Sequence, residues 1–551
     1  MPSGAQTLLH SLTSAGVTVC FTNPGTSEMH FVAALDGAPS MRAVLTLFEG
    51  VASAAADGYA RMADRPAATL LHLGCGLGNA LANLHNARKA RTPLLNIVGD
   101  HASFHAAHDT PLQSDIDTVA RNVSPWVRRC RDAASLAGDV RDALDAALGP
   151  PGQVATLILP ADVSWSECAA AVFAASPRTP PQVADETLQA IARALRAARR
   201  PALLLGGRAL REPALGAAAR IAAHTGARLL GEVFPARMQR GAGLPAVERL
   251  AYLAEFARLQ LADIDHLVLV DATPPASFFA YPGQDSRLVA DGCALHALAA
   301  PQHDVHDALQ RLCLLLGAQD VAPALQPALR PPRPRGRLTA HKVCKAVGHL
   351  LPPRAVIVDE AQTSGVMLPH YTAGAPPHDL LTLTGGAIGM GLPLALGAAV
   401  ACPQRPVIAL VGDGAAMYTL QALWSMAREG AHVIVVVLDN RSYAILNLEL
   451  QRVGAARAGA RARAQFDLSE PALDFVALAR GLGVPGVCAR SVEAFIDAFE
   501  HALATPGPHL IDAVVQPAIA GLRLRLLPRV LQSLQGLPRG VALGIKRRLA
   551  P

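Results

Sequence analysis

Gly412-Asp413-Gly414 follows the apolar run PVIALV, and Asn440 closes the next apolar run, HVIVVVLD, after the segment TLQALWSMAREG. An aspartate and an amide oxygen are hard donors suited to octahedral Mg²⁺, whose remaining positions go to phosphate oxygens, water and a main-chain carbonyl. A separation of about one strand–helix–strand unit lets both side chains face one point above neighbouring parallel strands. The glycines let backbone N–H groups approach an anion at a helix N-terminus. Many strand-to-helix turns contain G-D-G, so the spacing to Asn440 carries the argument. Elsewhere, Glu49 opens Glu49-x-x-Ala52-x-x-x-Ala56-x-Gly58-Tyr59-Ala60-Arg61. Its plain reading is a tightly packed helix with a carboxylate in the first turn, where the helix dipole favours it. His72 ends the run ATLLHL and is a group able to move protons near neutral pH, although a lone histidine at a strand end reads equally well as structural. His101, His105, His108 and Asp109 would share one face of a helix, a spacing that could bind zinc; in a loop, substrate contact is the better reading.

Strands and turns must hold those groups. VTVCFTNPGTSE, ATLLHLGCGLGN and PLLNIVGD in the first part of the chain, and AVIVDE, PVIALVGDG and HVIVVVLDN in the last, are continuous Val/Ile/Leu runs alternating with small-residue segments of helical character. Such runs predict parallel sheets covered on both faces, with ligands at the carboxyl ends of the strands. PALLLGGRALREP and DHLVLVDATPP suggest a further α/β unit between them. Proline-rich seams at Ser176–Pro181 and 322–337 separate the blocks. The expectation is an α/β protein of three doubly wound parallel-sheet domains: 1–175, 182–321 and 338–515, followed by a basic tail, 516–551. That tail holds Arg523, Arg525, Arg529, Arg539, Lys546, Arg547 and Arg548 and no acidic residue. It reads as a basic amphipathic extension lying on an acidic partner surface or acting as a lid, with a membrane-surface role the weaker alternative.

Composition sets limits. Of 551 residues 51% are hydrophobic and 17% charged, enough apolar material for several cores. A net charge of +6 spread over that length is no basic stripe, so nucleic acid is not an expected partner. Nine cysteines without a C-x-x-C pair argue for free thiols in a reducing cytoplasm, and no secretory signal is evident at the N-terminus. The uncharged stretch Leu380 to Gln404 is long enough to mimic a membrane span, but its glycines and prolines mark it as buried.

With G-D-G and Asn440 at this spacing, and Glu49 upstream in its small-residue motif, the chain resembles the thiamine diphosphate enzymes of the acetolactate synthase, pyruvate oxidase and benzoylformate decarboxylase family. The resemblance implies thiamine diphosphate and Mg²⁺ as cofactors. Asp413, Asn440 and the main-chain oxygen of Ser442 would be the metal ligands; Gly412, Gly414 and Ala415 would complete the diphosphate turn. Asp439-Asn440 stands where the family usually has Asn-Asn. Glu360-Ala361-Gln362-Thr363-Ser364 resembles a diphosphate-contacting loop, with Thr363 its contact. In Gly385-Gly386-Ala387-Ile388-Gly389, the Gly386 carbonyl would hold the cofactor's 4′-amino group and Ile388 would wedge its two rings into a V. Glu49 would hydrogen-bond N1′ of the aminopyrimidine, and His72 takes the place of an active-site histidine. Thr26, in Asn23-Pro24-Gly25-Thr26-Ser27-Glu28, and Gln113, in PLQSD, fall on the substrate side. Phe278 stands where the decarboxylases have a second histidine, which leaves that half of an acid/base pair missing. Cys75 replaces the proline of the common G-P-G turn.

Activity expected from the resemblance is decarboxylation of a 2-oxo acid, followed by release of an aldehyde or ligation of the enamine to a second carbonyl. Sites would lie between chains of a homodimer or homotetramer, Glu49 of one chain meeting Asp413 of another. Two rival readings stand beside it. One is a catalytically silent thiamine diphosphate-binding regulatory or scaffold subunit, against which the presence of Glu49, Asp413 and Asn440 argues. The other is a dinucleotide oxidoreductase, weakened because Gly74-x-Gly76-x-Gly78 lacks the G-x-G-x-x-G spacing. FAD or ADP on the middle block, as in some relatives, is left open.

Overall fold

The computed structural model describes residues 1–168, 178–281, 283–453, 455, 459–517 and, in the tail, 530, 533, 537 and 539–549. Three sheets carry the chain. The first has the order β2-β1-β3-β4-β6-β5, from β1 (Val19–Asn23), β2 (Arg42–Leu45), β3 (Ala67–Leu71), β4 (Leu94–Asp100), β5 (Trp126–Arg129) and β6 (Val154–Pro160). The second runs β10-β8-β7-β11-β12, from β7 (Pro201–Leu205), β8 (Arg228–Gly231), β10 (Glu248–Arg249), β11 (His266–Val270) and β12 (Ala294–Ala299). The third runs β17-β18-β16-β15-β13-β14-β9, from β9 (Met238–Arg240), β13 (Val356–Glu360), β14 (His378–Thr382), β15 (Val407–Gly412), β16 (Val433–Asp439), β17 (Gly486–Ala489) and β18 (His509–Val514). The expected three-domain α/β architecture is present, with one departure from all-parallel sheets. Strand β9, from the middle third of the sequence, adds antiparallel to β14 at the edge of the third sheet. Three residues cannot announce a strand in sequence, and their partner lies far along the chain.

The first and third sheets meet through two helices rich in small residues. Gly58, in the helix Glu49–Ala63, has no room for a Cβ against the Leu394 carbonyl, and Gly397, in the helix Gly391–Ala401, has none against the Ala55 carbonyl. Reciprocal glycines bring the two backbones close, so the uncharged stretch around 391–401 is wedged between protein layers on all sides. Among the described residues no helix is long and apolar enough to cross a membrane. A buried ion pair, Arg61 Nη2 to Asp57 Oδ2 at 2.5 Å, fixes the same interface, since Arg61 Nη1 also donates to the Thr382 carbonyl at 2.9 Å. Lys546 is the one basic residue of the tail whose side chain is described; its Nζ lies 3.2 Å from Glu248 Oε1, on strand β10 of the middle sheet. Arg523, Arg525, Arg529 and the side chains of Arg539, Arg547 and Arg548 lie outside the described residues, as do Ser176 and Pro177 of the first seam.

Candidate active site

β15 and β16 pair in parallel with Gly412 opposite Leu438, so Asp413 and Asn440 emerge together just beyond the carboxyl ends of adjacent strands. Both are buried. Asp413 Oδ1 accepts the Gly414 N–H at 2.8 Å, and Asn440 Nδ2 donates to Ser364 Oγ at 3.2 Å. Asp413 Oδ2 and Asn440 Oδ1 are buried without any hydrogen-bond partner. Burial, reinforced by the neighbouring Asp439, pushes the Asp413 carboxyl up to about 6. A buried carboxylate and a buried amide oxygen left unsatisfied just beyond the ends of adjacent strands are costly unless a cation completes them, so this donor set fits a hard divalent metal. Ser442 follows on the same loop, its carbonyl accepting the Ala444 N–H at 2.7 Å with a second lone pair to spare. At Gly412 a Cβ would meet open space, whereas at Gly414 it would collide with the Tyr443 ring; Ala415 completes the turn in the short helix Asp413–Ala416.

The Ser364 bond brings the loop after β13 to Asn440 and with it Thr363, which lines a cavity of about 1150 Å³ together with Phe234, Tyr252, Ile445 and Leu448. The third-sheet loop that carries Gly386 and Ile388 is held from several sides. Glu360, at the end of β13, accepts the N–H groups of Gly389 (2.7 Å), Met390 (3.0 Å) and Gly391 (2.7 Å). Burial pushes its carboxyl up to about 7, although those three donors pull the other way. Asn86 brackets Ala387, donating to its carbonyl at 2.7 Å and accepting its N–H at 3.2 Å. Ile388 packs against the core shared by the first and third sheets. Gly386 has φ +80°, and a Cβ there would lie 2.5 Å from Phe278 Cζ. The Phe278 ring also lies 5.9 Å from Phe234 and 5.4 Å from Tyr252, centroid to centroid, so the residue standing in the place of a second histidine walls Gly386 with aromatic carbon.

The remaining candidates gather around the first turn of the helix Leu73–Ala90. Glu49, buried at the start of its own helix, accepts from Asn79 Nδ2 through Oε2 at 2.9 Å, and a Cβ at Gly76 would lie 2.9 Å from its Oε1. His72 is the N-cap residue; its Nδ1 is 2.8 Å from Glu28 Oε2, which also accepts the Gly25 N–H at 2.7 Å. Burial raises the Glu28 carboxyl, while the Gly25 N–H and His72 draw it down. Exposed Thr26 follows Gly25, where a Cβ would collide with the His72 ring. Gln113 Oε1 and Ser114 Oγ are buried without partners, and Ser114 Oγ takes the space a Cβ of Gly74 would need. Sequence reasoning assigned no role to Glu28, Ser114 and Glu360. The glycines they abut, Gly25, Gly74 and Gly391, were the available signal. Within one chain, among the described residues, no hydrogen bond joins Glu49 to Asp413 or Asn440.

His101, His105 and His108 do not share a helix face. Only Ala106–His108 forms a single 3₁₀ turn, and the rings follow one another at 5.3 and 5.6 Å. No cluster of three or more His, Cys, Asp or Glu able to hold a metal occurs among the described residues, and the zinc reading falls with it.

Residues 2–120 match the thiamine pyrophosphate enzyme N-terminal TPP binding domain, and residues 360–513 match the C-terminal TPP binding domain. A protein of Mycobacterium tuberculosis named "Putative acetolactate synthase large subunit IlvX" is 55% identical over 523 residues, covering 94% of this chain and all of that one. The chain belongs to the thiamine pyrophosphate enzyme family. Among other relatives of this thiamine pyrophosphate enzyme, a benzoylformate decarboxylase of Pseudomonas aeruginosa is 29% identical over 91% of this chain and 96% of its own. The solved thiamine diphosphate-dependent 4-hydroxybenzoylformate decarboxylase of Rhodococcus jostii RHA1 superposes with a TM-score of 0.83 at 25% identity, covering 94% of this chain and 99% of that one.

Proposed function

We propose that this thiamine pyrophosphate enzyme decarboxylates a 2-oxo acid with thiamine diphosphate and Mg²⁺, and either releases the aldehyde or joins the remaining fragment to a second carbonyl. The observation that carries the reading is the pair of buried, unpartnered oxygens, Asp413 Oδ2 and Asn440 Oδ1, at the carboxyl ends of β15 and β16. With the Ser442 carbonyl they would hold the metal; Gly412, Gly414, Ala415 and Thr363 would receive the diphosphate. When bound, thiamine diphosphate supplies an acidic thiazolium C2–H and an electron sink for the bond that breaks as CO₂ leaves. Glu49 holds the proton that this chemistry requires: Asn79 fixes Oε2, and the bare face of Gly76 leaves Oε1 free to give and take it. Ile388 and the Gly386 carbonyl orient the aminopyrimidine. His72, steered through Nδ1 by Glu28, presents its other nitrogen as the proton donor or acceptor for the substrate. Thr26 and Gln113 contact the acid, and Phe278 gives the pocket an apolar wall.

Glu49 and Asp413 serve different sites in this reading, each pairing with the other group of a second chain, so the active species is a homodimer or homotetramer. We further propose the domain limits 1–175, 182–321 and 338–515 with the tail 516–551. A cytoplasmic location is supported by nine cysteines that are all unpaired.

A panel of 2-oxo acids including pyruvate and benzoylformate, incubated with thiamine diphosphate and Mg²⁺, tests the proposal through CO₂ and hydroxyketone together. CO₂ from at least one acid, lost on omission of metal, is the expected result. A protein that binds the cofactor yet releases CO₂ from none of them is the silent subunit instead.

A further inference from the structure

The middle sheet has the layout on which parallel-sheet proteins hold dinucleotides. Gly206-Gly207 follow strand β7, and a phosphate normally sits on the amides of such a turn, outside the carboxyl ends of the strands. In this chain the amides are already taken. The Gly207 N–H donates to Glu232 Oε1 at 3.1 Å, and the Arg208 N–H donates to Asp271 Oδ2 at 2.8 Å. Glu232 follows β8 and Asp271 follows β11, the two strands that flank β7, so the carboxylates close on the turn from both sides. There is no space left over the glycines. A Cβ at Gly206 would collide with the Asp271 carbonyl and lie 3.1 Å from Glu232 Oε2, and one at Gly207 would collide with Asp271 Oδ2.

Arg91, which caps the helix Leu73–Ala90 of the first sheet's layer, completes the arrangement: Nη1 meets Asp271 Oδ1 at 2.6 Å and Nη2 donates to the Asp271 carbonyl at 3.2 Å. We infer that this crest is a nest liganded by the chain's own Asp271 and Glu232, closed to FAD and ADP, and used instead as a clasp through which Arg91 locks the first sheet onto the middle one. A pyrophosphate entering it would meet two carboxylates facing one guanidinium, and would have to displace both carboxylates to reach the same two amides. Burial pushes the Glu232 carboxyl up to about 7, against the pull of the Gly207 N–H and Arg91.

The purified enzyme, with thiamine diphosphate and Mg²⁺ present, is titrated calorimetrically with FAD and with ADP, and its visible spectrum is recorded after incubation with FAD and gel filtration. No binding heat and no retained flavin are expected. Micromolar binding of either nucleotide by the unaltered protein overturns the inference. The double variant Asp271→Gly, Glu232→Ala frees the amides and is expected to bind ADP at least tenfold more tightly than the parent. A folded double variant that still ignores ADP overturns the claim that the carboxylates close the nest. Arg91→Met keeps both carboxylates; it should leave nucleotide binding absent while speeding amide hydrogen exchange at 207, 208 and 271 at least tenfold. Unchanged exchange there removes the clasp.

Discussion

A Cβ on Gly76 would sit 2.9 Å from Glu49 Oε1, so the carboxylate rests on the bare face of a helix backbone whose next exposed turn holds Asn79 against its other oxygen. Replacing that hydrogen by a methyl leaves the fold free to form but must tilt the carboxylate. A displacement of about 1 Å in a positioned catalytic group costs on the order of 100-fold in rate. Gly76→Ala is therefore expected to bind thiamine diphosphate nearly as the parent does while slowing exchange of its C2 proton about 10- to 100-fold, followed by NMR in deuterated buffer. Glu49→Gln should slow it further. Parental exchange in Glu49→Gln would strip that residue of its role.

The metal pair makes a prediction in two directions. Asp413→Ala should abolish Mg²⁺-dependent binding of the cofactor. Asp413→Asn removes a buried charge that has no counter-ion in the empty protein, a change expected to stabilise the metal-free form by about 1–3 kcal/mol. Thermal unfolding in EDTA and in Mg²⁺ with thiamine diphosphate separates these: the variant should melt higher than the parent in EDTA and gain nothing from the cofactor. An Asp413→Asn protein stabilised by cofactor and metal as much as the parent would remove the metal assignment.

Glu360 links pH to stability. Its carboxyl, ordinarily near 4.5, stands at about 7 in the folded chain because burial outweighs the three N–H groups that favour its anion. Between those values the folded protein keeps a proton that the unfolded chain has released. The resulting stabilisation is complete below about 4.5 and is lost as pH rises through about 7, an amount on the order of 3 kcal/mol. Chemical denaturation across that window should show this decline over and above other titrations. Glu360→Gln should flatten it, and should lower stability by about 1–3 kcal/mol at low pH because an amide N–H₂ then faces the Gly391 N–H. An unaltered slope in the variant would mean that some other group titrates.

His72 depends on a residue far away in sequence. Glu28 Oε2 binds its Nδ1, and Gly25 leaves space for its ring. If the imidazole moves protons for the substrate, His72→Ala should lower kcat about 100-fold or more with cofactor affinity intact. Glu28→Gln, which keeps the shape but not the charge, should lower kcat less than His72→Ala does, by loosening the contact that orients the ring. A His72→Ala enzyme with parental kcat would make the histidine a packing residue.

What the sequence shows plainly is what recurs along it. The Val/Ile/Leu runs of β3, β4, β13, β15 and β16 are buried on both faces and could be read directly, and the distance from Asp413 to Asn440 is the length of one crossover between paired strands. Contacts between segments remote in the chain leave weaker traces. Glu28 and His72 join two side chains far apart in the chain, Ser114 fills the space above Gly74, and Glu360 accepts the Gly391 N–H; only a glycine without evident turn function hints at each. The strand β9 is shorter still, and its place at the edge of the third sheet depends on a pairing with β14 that no local pattern encodes. The histidines at 101, 105 and 108 misled for the opposite reason: their spacing suits a helix, but the chain leaves β4 in a loop with one 3₁₀ turn.

Phe278 offers the sharpest test of substrate choice. Its ring closes over Gly386, backed by Phe234 and Tyr252 rings that also line the large cavity beside Thr363. An aromatic wall there favours an apolar 2-oxo acid and supplies no proton for releasing an aldehyde. Phe278→Ala enlarges the pocket, and the ratio of kcat/KM for benzoylformate over pyruvate should change about 10- to 100-fold, the range of about 1–3 kcal/mol expected when apolar contacts are added or removed. Phe278→His restores an ionisable ring, and the share of decarboxylated product appearing as aldehyde, measured by gas chromatography beside the hydroxyketone, should rise. If neither the ratio nor the product share moves, the substrate does not reach this wall, and the pocket must be sought on the His72 side alone.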